Sequence, residues 1–521
     1  MKFKNNIFLF IYFVLAFILF PYYRFIVDSP DGLVYVIIAQ KYAGGNFQDA
    51  VNSFWSPLLS WFFSGLIYIG IEPFAAAKSV QVLIGAFALL GVNTLLPENS
   101  RSYIYYSTIA CVIIFILYCA FLVLTPDLFF LTLCLWYVVL LKEDSHYINK
   151  KYFVLLIGAL GAFIYFSKSI GFILFLSSFS VFNFFLYLRK ERPLKTILWK
   201  YFFGVITFLI ITSPWIYSIS RKENKFTISS AAEYNFHNIG PKSNPDVFGE
   251  VRHPCFWQGL IEPNRQFSVC AWEEPHKMPL EEWSAFESKE NFLHYLSVIG
   301  KNLLSIRSFY FGLDAGTVLC LALLTVFYYR RKKIVEVFKS NSFLIIVCAC
   351  CTLPYIFLLV IERYLWINTI AISVLGYFIF SRLCEMNNKI GIPLFIAFVL
   401  LFVKTPLLEF KNNFNADKYI FDDREAIAGK ISGNTASVSI SSENPGDHYL
   451  QSGLVSFFSG AKYYGMITLP GQKEKLYTEL RKNKIDYLLK WNQTIRIPAE
   501  LYSDSIFFSK SGLVAYKLKQ E

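Results

Sequence analysis

Long apolar runs dominate this sequence. Between residues 7 and 404, stretches of about 20 predominantly apolar residues recur, and this is the length that a helix needs to cross the hydrocarbon core of a bilayer. Only 17% of the residues are charged, whereas ordinary soluble domains carry about 25%. The sequence therefore predicts a mostly α, polytopic helical membrane protein. The net charge of +12 is then attributed to cytoplasmic loops and anionic membrane lipids, and no nucleic-acid partner is expected.

The distribution of Lys and Arg predicts which loops face the cytoplasm. Lys2 and Lys4 precede the first span and place the N-terminus inside, and the basic segments 189–195 and 330–333 fall on the same side. This rule is satisfied by about eleven transmembrane helices, at roughly 7–26, 75–96, 103–123, 128–141, 152–167, 170–188, 201–219, 308–329, 342–361, 366–382 and 389–404. The expected location is a bacterial inner membrane.

Two outer loops interrupt the predicted spans, a first one at 27–74 and a long one at 220–307. Within the first, the aromatic segment 55–74 contains Pro57, Gly65 and Gly70 and is either a short span or a helix in the membrane interface. We expect the interfacial placement, because a crossing here would reverse every later loop and move the basic loops outside.

The segment after residue 404 differs from the rest. Residues 405–521 alternate helical and strand-like patterns, which predicts a small extracytoplasmic α/β domain after a transmembrane module at 1–404. This segment contains no Gly-rich phosphate loop, so a nucleotide site is not predicted.

The long outer loop is rich in potential metal ligands. It contains four of the six histidines (His237, His253, His276 and His294), but their spacings match no zinc signature, and solvated histidines are the favoured interpretation. A divalent metal remains open. Cys255 and Cys270 are the two cysteines predicted on the oxidising side, and a disulfide between them and two separate thiols are equal alternatives.

Two carboxylates follow the first span. Asp28, Ser29 and Pro30 are typical of a helix start, and Gly44 is typical of a helix end, so Asp31 is expected in the first turn of a short helix at the membrane surface. The helix dipole there favours an ionised carboxylate. Simple helix capping and a catalytic role are both consistent with this position.

Other ionisable residues are predicted at or near the same face: Asp127 after Leu-Thr-Pro, Lys168 in a turn between spans, Glu362-Arg363-Tyr364 between two later spans, and Lys78 at the start of the second span. Charged residues at such depths are costly and tend to be functional. A long side chain at a span end can instead extend to the surface, which is the favoured interpretation of Lys78. Cations beside carboxylates outside the membrane suit an anionic lipid head group and a proton acceptor.

Several of these motifs resemble the C-type glycosyltransferases. The resemblance rests on D-G-x-x-Y from Asp31, W-S-P-L-L-S-W from Trp55, L-T-P-D at 124–127, S-K-S-I-G at 167–171 and E-R-Y-L at 362–365. These polytopic enzymes use polyprenyl-phosphate sugars and include protein O-mannosyltransferases and the lipid A aminoarabinose transferase. The resemblance covers the layout of residues 1–404.

The resemblance implies a role for each matching residue. Asp31 would be the general base, Asp127 a second acidic residue of the site, and Lys168, Arg363 and Tyr364 would contact the donor phosphate. Asp28 and Lys78 are secondary candidates. The implied reaction is inverting transfer of a hexosyl or pentosyl group from a polyprenyl-phosphate donor to a lipid, glycan or protein acceptor on the periplasmic face.

The sequence departs from the family at two positions. Ser56 precedes Pro57 where the aminoarabinose transferase has a Lys, so one phosphate contact would come from elsewhere. Gly32 follows Asp31 where the eukaryotic-type protein mannosyltransferases have an Asp-Glu pair. A transporter or lipid flippase, or a non-catalytic member of an envelope assembly, are the alternatives from other functional classes.

Overall fold

The structure is a computed structural model of the 521-residue chain. It describes residues 7–97, 102–146, 152–241, 260–263, 268–278, 280, 282–312, 314–416, 418–431, 436–440, 445–467, 473–491, 497–508 and 512–519.

Helices make up most of the part of the chain that the structure describes. In chain order they are α1 Ile7–Tyr23, α2 Pro30–Ala43, α3 Phe47–Ala50, α4 Leu58–Tyr68, α5 Pro73–Leu95, α6 Ser102–Leu122, α7 Asp127–His146, α8 Tyr152–Ser167, α9 Gly171–Leu188, α10 Leu194–Glu223, α11 Ala231–Asn238, α12 Lys289–Phe311, α13 Ala315–Ser340, α14 Ser342–Ile356, α15 Trp366–Met386, α16 Asn388–Asn412, α17 Lys418–Ile431, α18 Pro445–Ser459 and α19 Lys473–Lys482. Short 3₁₀ segments lie at Ala271–Glu273, Pro275–Lys277 and Glu362–Leu365.

The predicted class of fold is confirmed. Within the described residues, six helical stretches are long and apolar enough to cross a membrane, and the bent pair α12–α13 gives a seventh. Helices α1, α4, α8 and α14 are apolar but shorter. The chain is thus a multi-pass helical membrane protein, whereas the predicted count of about eleven spans is not confirmed, because several apolar runs fold into helices too short to qualify by length.

The length of α4 bears on the segment predicted to lie in the interface. This helix has 11 residues, which corresponds to about 16 Å at 1.5 Å per residue. The hydrocarbon core of a bilayer is about 30 Å thick. A single helix of this length is too short to cross the membrane, which favours the interfacial placement.

The C-terminal part is a small α/β domain, as predicted. Its strands are β1 Ala436–Ile440, β2 Lys462–Ile467, β3 Tyr487–Lys490, β4 Tyr502–Phe508 and β5 Leu513–Leu518. They form one sheet in the order β2-β1-β3-β5-β4, in which β1 is parallel to β2 and β3, and β5 is antiparallel to β3 and β4. Helix α18 and strand β2 are not predicted from the sequence. Strand β2 forms one edge of the sheet, and α18 packs against it.

The C-terminal domain packs directly on the helix that carries Asp31. Helix α18 lies against α2 and β2, and the buried apolar core that includes Leu33 continues without a break into Leu454. Gly453 allows this approach, since a Cβ atom there would lie 3.0 Å from a methyl group of Leu33. The position of α2 therefore depends on both parts of the chain.

A buried ion cluster fixes the opposite end of α7. Both Asp144 oxygens are paired, with Arg192 at 2.7 Å and with Lys200 at 2.6 Å, and all three side chains are at most 4% exposed. Buried charges are tolerated only when paired in this way. The cluster joins the end of α7 to the start of α10, and α7 begins at Asp127.

The orientation of the chain is a testable prediction. Reporter tags after residue 521 and within 220–307 are expected outside, and tags at 142–151 and 330–333 inside, because the basic loops favour the cytoplasm. Accessibility of the tags to a membrane-impermeant reagent in intact cells checks this. A cytoplasmic C-terminal tag would contradict the predicted orientation of the C-terminal domain.

Candidate active site

Helix α2 forms as its sequence predicts. It begins after Ser29, whose backbone is extended, and has Pro30 at its first position, where the missing N–H costs nothing. At its other end the N–H of Gly44 donates to the Gln40 and Tyr42 carbonyls. Asp28 does not cap this helix: its Oδ1 accepts the backbone N–H of Leu124 at 2.8 Å. For Asp28, the capping interpretation therefore gives way to a contact between the first outer loop and the turn before α7.

Gly32 brings α2 against that turn. A Cβ atom at position 32 would lie 2.7 Å from the carbonyl oxygen of Leu124, which is closer than real Cβ atoms approach an oxygen. The same backbone stretch carries the Leu124 N–H that binds Asp28 and leads into Asp127. The departure from the Asp-Glu pattern at this position thus has a packing reason.

Gly32→Ala is expected to destabilise the protein by about 1–3 kcal/mol, because the added methyl group overpacks the contact with Leu124. Gly65→Ala in α4 is the matched control, since nothing lies within 4 Å of its Cβ position, and this change should be neutral or stabilising by at most about 1 kcal/mol. Thermal unfolding of the two purified variants in detergent compares them. Equal midpoints would contradict the close approach.

Arg363 lies at the centre of a cluster of three carboxylates. Its Nη2 atom is 2.5 Å from Oδ2 of Asp31, its Nη1 atom is 3.4 Å from Oδ2 of Asp28, and its Nε atom is 3.6 Å from Oδ2 of Asp127. Nη1 also lies 3.5 Å from the Ser29 hydroxyl. The short 3₁₀ segment before α15 thus brings one guanidinium to the starts of α2 and α7.

Lys168 completes the cluster from the turn between α8 and α9. Its ammonium group is 2.5 Å from Oδ1 of Asp127, whose other oxygen accepts the Thr125 hydroxyl at 2.7 Å. The same ammonium lies 3.5 Å above the ring of Tyr364, which stacks on Tyr355 at 4.8 Å. This is the geometry of a cation–π contact. Tyr364 is therefore in position to orient Lys168.

The electrostatics of the cluster depend on its pairing. Burial raises the pKa of Asp28, while the Arg363 cation, the Leu124 N–H and the nearby Lys78 charge oppose that shift. Burial lowers the pKa of Lys168, and Asp127 opposes that shift. The charged partners thus offset part of the effect of burial on each group. Three carboxylates, Asp28, Asp31 and Asp127, face the cations Arg363 and Lys168, and the charge of Lys78 lies nearby.

Lys78 has a different position from the one its sequence context suggested. It is fully buried, and its ammonium group donates to the carbonyl oxygen of Phe121 at 2.6 Å. The interpretation that its side chain extends to the surface is therefore wrong. The reason is that the end of α6 packs against α5 and offers a carbonyl that compensates the buried charge.

The structure brings six of the seven predicted site residues into contact with one another: Asp28, Asp31, Asp127, Lys168, Arg363 and Tyr364. The seventh, Lys78, lies close enough to Asp28 for its charge to act on that carboxylate. It also adds Trp272, whose indole N–H donates to Oδ1 of Asp31 at 3.1 Å. The sequence signalled Trp272 only as one aromatic residue of a long outer loop. Thr125 could have been found, because it belongs to the L-T-P-D motif.

The sequence leaves a divalent metal open. Within the part of the chain that the structure describes, no three His, Cys, Asp or Glu side chains are arranged to bind one ion. Cys255, one half of the possible disulfide, and His253 lie outside the described residues.

The arrangement of the helices is similar to that in two solved structures. Among solved structures, ArnT from Cupriavidus metallidurans bound to undecaprenyl phosphate is 12% identical, and the match covers 98% of each chain with a TM-score of 0.51. The archaeal oligosaccharyltransferase AglB from Archaeoglobus fulgidus, in complex with an inhibitory peptide and a dolichol-phosphate, is 11% identical, with 94% of this chain and 70% of AglB covered and a TM-score of 0.53. At these identities the likeness shows a shared fold. No family model and no curated protein matches the sequence.

Proposed function

We propose that this protein is a membrane glycosyltransferase that moves a sugar from a polyprenyl-phosphate donor to an acceptor hydroxyl group. The observation that carries the proposal is one guanidinium shared by three carboxylates, with a second cation on Asp127. The C-type fold supports it, and so do the polyprenyl phosphates bound in the two neighbouring structures.

The cations provide a site for the donor phosphate. Arg363 has one short contact, with Asp31, and two long ones, with Asp28 and Asp127. Its Nε–H is buried and makes no hydrogen bond to any described residue. A phosphate oxygen would satisfy this N–H and replace the long contacts, and the ammonium of Lys168 would add a second charge.

Asp31 is the proposed general base. It lies in the first turn of α2 and is 19% exposed, so an acceptor can reach it. The acceptor hydroxyl gives its proton to Asp31 as its oxygen bonds to the anomeric carbon. The bond from that carbon to the phosphate oxygen breaks, and the electron pair leaves with the polyprenyl phosphate. Direct displacement inverts the anomeric centre.

The leaving group gains a negative charge in this step. In this proposal Arg363 and Lys168 contact the phosphate on which that charge develops, so they stabilise the transition state more than the ground state. Asp127 and Tyr364 would orient Lys168, one through an ion pair and the other through its ring. The proposed reaction needs no nucleotide sugar. We place its site on the outer face of a bacterial inner membrane, with a lipid, glycan or protein as acceptor.

Donor turnover tests the proposal. The purified protein in liposomes is given polyprenyl-phosphate sugars extracted from bacterial membranes, with a total envelope extract as acceptor source, and free polyprenyl phosphate is measured by mass spectrometry. We expect free polyprenyl phosphate to accumulate with time. Movement of the intact donor lipid across the bilayer without its cleavage would instead support the flippase alternative and overturn the proposal.

A further inference from the structure

Trp272 lies where three parts of the protein meet. Its indole N–H donates to Oδ1 of Asp31, and its carbonyl oxygen accepts the indole N–H of Trp55 at 3.2 Å. The edge of its ring contacts Tyr449 of α18, at 6.3 Å between ring centroids. The long outer loop, the first outer loop and the C-terminal domain therefore share this one side chain.

The next residue, Glu273, anchors the same loop to the other end of α2. Its carboxylate forms an ion pair with Lys41, and both side chains are at most 5% exposed. The other carboxylate oxygen accepts the backbone N–H of Val269 at 2.6 Å. The Glu273 carbonyl accepts the side-chain amide of Asn52 at 2.7 Å. Trp272 and Glu273 thus attach the loop near the first and the last turn of the helix that carries Asp31.

The C-terminal domain binds the same loop from the opposite side. Strand β2 is the edge of the sheet, and its Tyr463 N–H donates to the Val269 carbonyl at 2.6 Å, with a parallel bridge between Cys270 and Tyr463. Ile261 donates to the Tyr464 carbonyl at 3.0 Å. An exposed sheet edge offers unpaired backbone groups, and here the loop pairs with two of them.

We propose that Trp272 is a positioning residue for the Asp31 base and that the C-terminal domain keeps it in place through the edge of β2. This rests on the proposed function and deepens it. Arg363 binds Oδ2 of Asp31 and Trp272 binds Oδ1, so the two donors together fix the plane of the carboxylate. A base must lie within hydrogen-bond reach of the proton it removes, and small misplacements are expensive.

Kinetics test the role of the indole N–H. Trp272→Phe removes that donor but keeps an aromatic ring against Tyr449. We expect kcat for release of polyprenyl phosphate to fall about 10-fold, with KM for the donor within about twofold, because the donor phosphate is bound elsewhere. Trp283→Phe is the matched control. It removes an indole hydrogen bond to Phe236 in the same outer loop and should leave both constants unchanged.

Hydrogen exchange tests the anchoring without any turnover. Glu273→Gln breaks the charge pair with Lys41, so the backbone N–H groups of Val269 and Tyr463 should exchange at least 10-fold faster, while those of β5 should not change. Unchanged protection in Glu273→Gln, or normal kcat in Trp272→Phe, overturns this inference. Absence of turnover in the unmodified protein would count against the proposed function instead, and the exchange result would still report on the loop.

Discussion

Asp31→Asn is expected to lower the rate of sugar transfer by about 10²–10⁴-fold, which is the usual contribution of a general base. Asn has nearly the same shape as Asp, so it can still accept the hydrogen bond from Trp272, but it cannot take a proton at neutral pH. Binding of undecaprenyl phosphate should persist, because that binding is assigned to Arg363 and Lys168. The measurement is release of polyprenyl phosphate in liposomes after folding of the variant has been checked.

Asp28→Asn is the control for this experiment. Asp28 also lies against Arg363, but its other oxygen is occupied by the Leu124 N–H, and an Asn oxygen can accept the same bond. We expect a mild effect on turnover. Full activity of Asp31→Asn would rule out Asp31 as the general base. A loss of activity confined to Asp28→Asn would assign the base to Asp28 instead.

Arg363→Ala is expected to weaken binding of undecaprenyl phosphate by at least about 30-fold, since removing one partner of a buried charge pair costs about 2 kcal/mol or more. The variant also leaves Asp28, Asp31 and Asp127 without their shared cation, and the repulsion among these carboxylates lowers the affinity for undecaprenyl phosphate further. Titration of the purified protein with undecaprenyl phosphate in detergent measures the dissociation constant.

Two further variants serve as controls for the Arg363→Ala prediction. Arg363→Lys retains the charge but loses the planar fork, so it should fold and bind with intermediate affinity. Arg382→Ala on α15 removes an exposed Arg that pairs with Glu385 at 3.0 Å, and such surface pairs contribute little. It should bind as the unmodified chain does. Unchanged affinity in both Arg363 variants would remove Arg363 from the donor site.

The two predictions separate the alternatives left open by the sequence. A flippase would require Arg363 for lipid binding but would not need a proton acceptor at position 31. In a non-catalytic member of an envelope assembly, neither substitution would change sugar transfer or binding of undecaprenyl phosphate. An enzyme of the proposed kind needs both residues, one for chemistry and one for the donor.

The sequence by itself determined the class of the protein and the local elements of the site. Apolar runs of membrane-spanning length report directly on a bilayer environment, since hydrophobic burial is a property of each segment. The Pro30 start and the Gly44 end likewise predicted α2, because the signals that begin and end a helix depend on neighbours in the chain. The α/β character of the C-terminal domain followed from short segments in which helical and strand-like sequence patterns alternate.

The tertiary structure decided which side chains meet. Arg363 reaches Asp31 across 332 residues, and Trp272 reaches it across 241. No local pattern encodes those contacts, because they depend on how α2, α7 and α15 pack and on the path of the long outer loop along the edge of β2. The burial of Lys78 has the same origin. Its neighbours in sequence suggest a span end, and only the packing of α6 against α5 places the Phe121 carbonyl beside it.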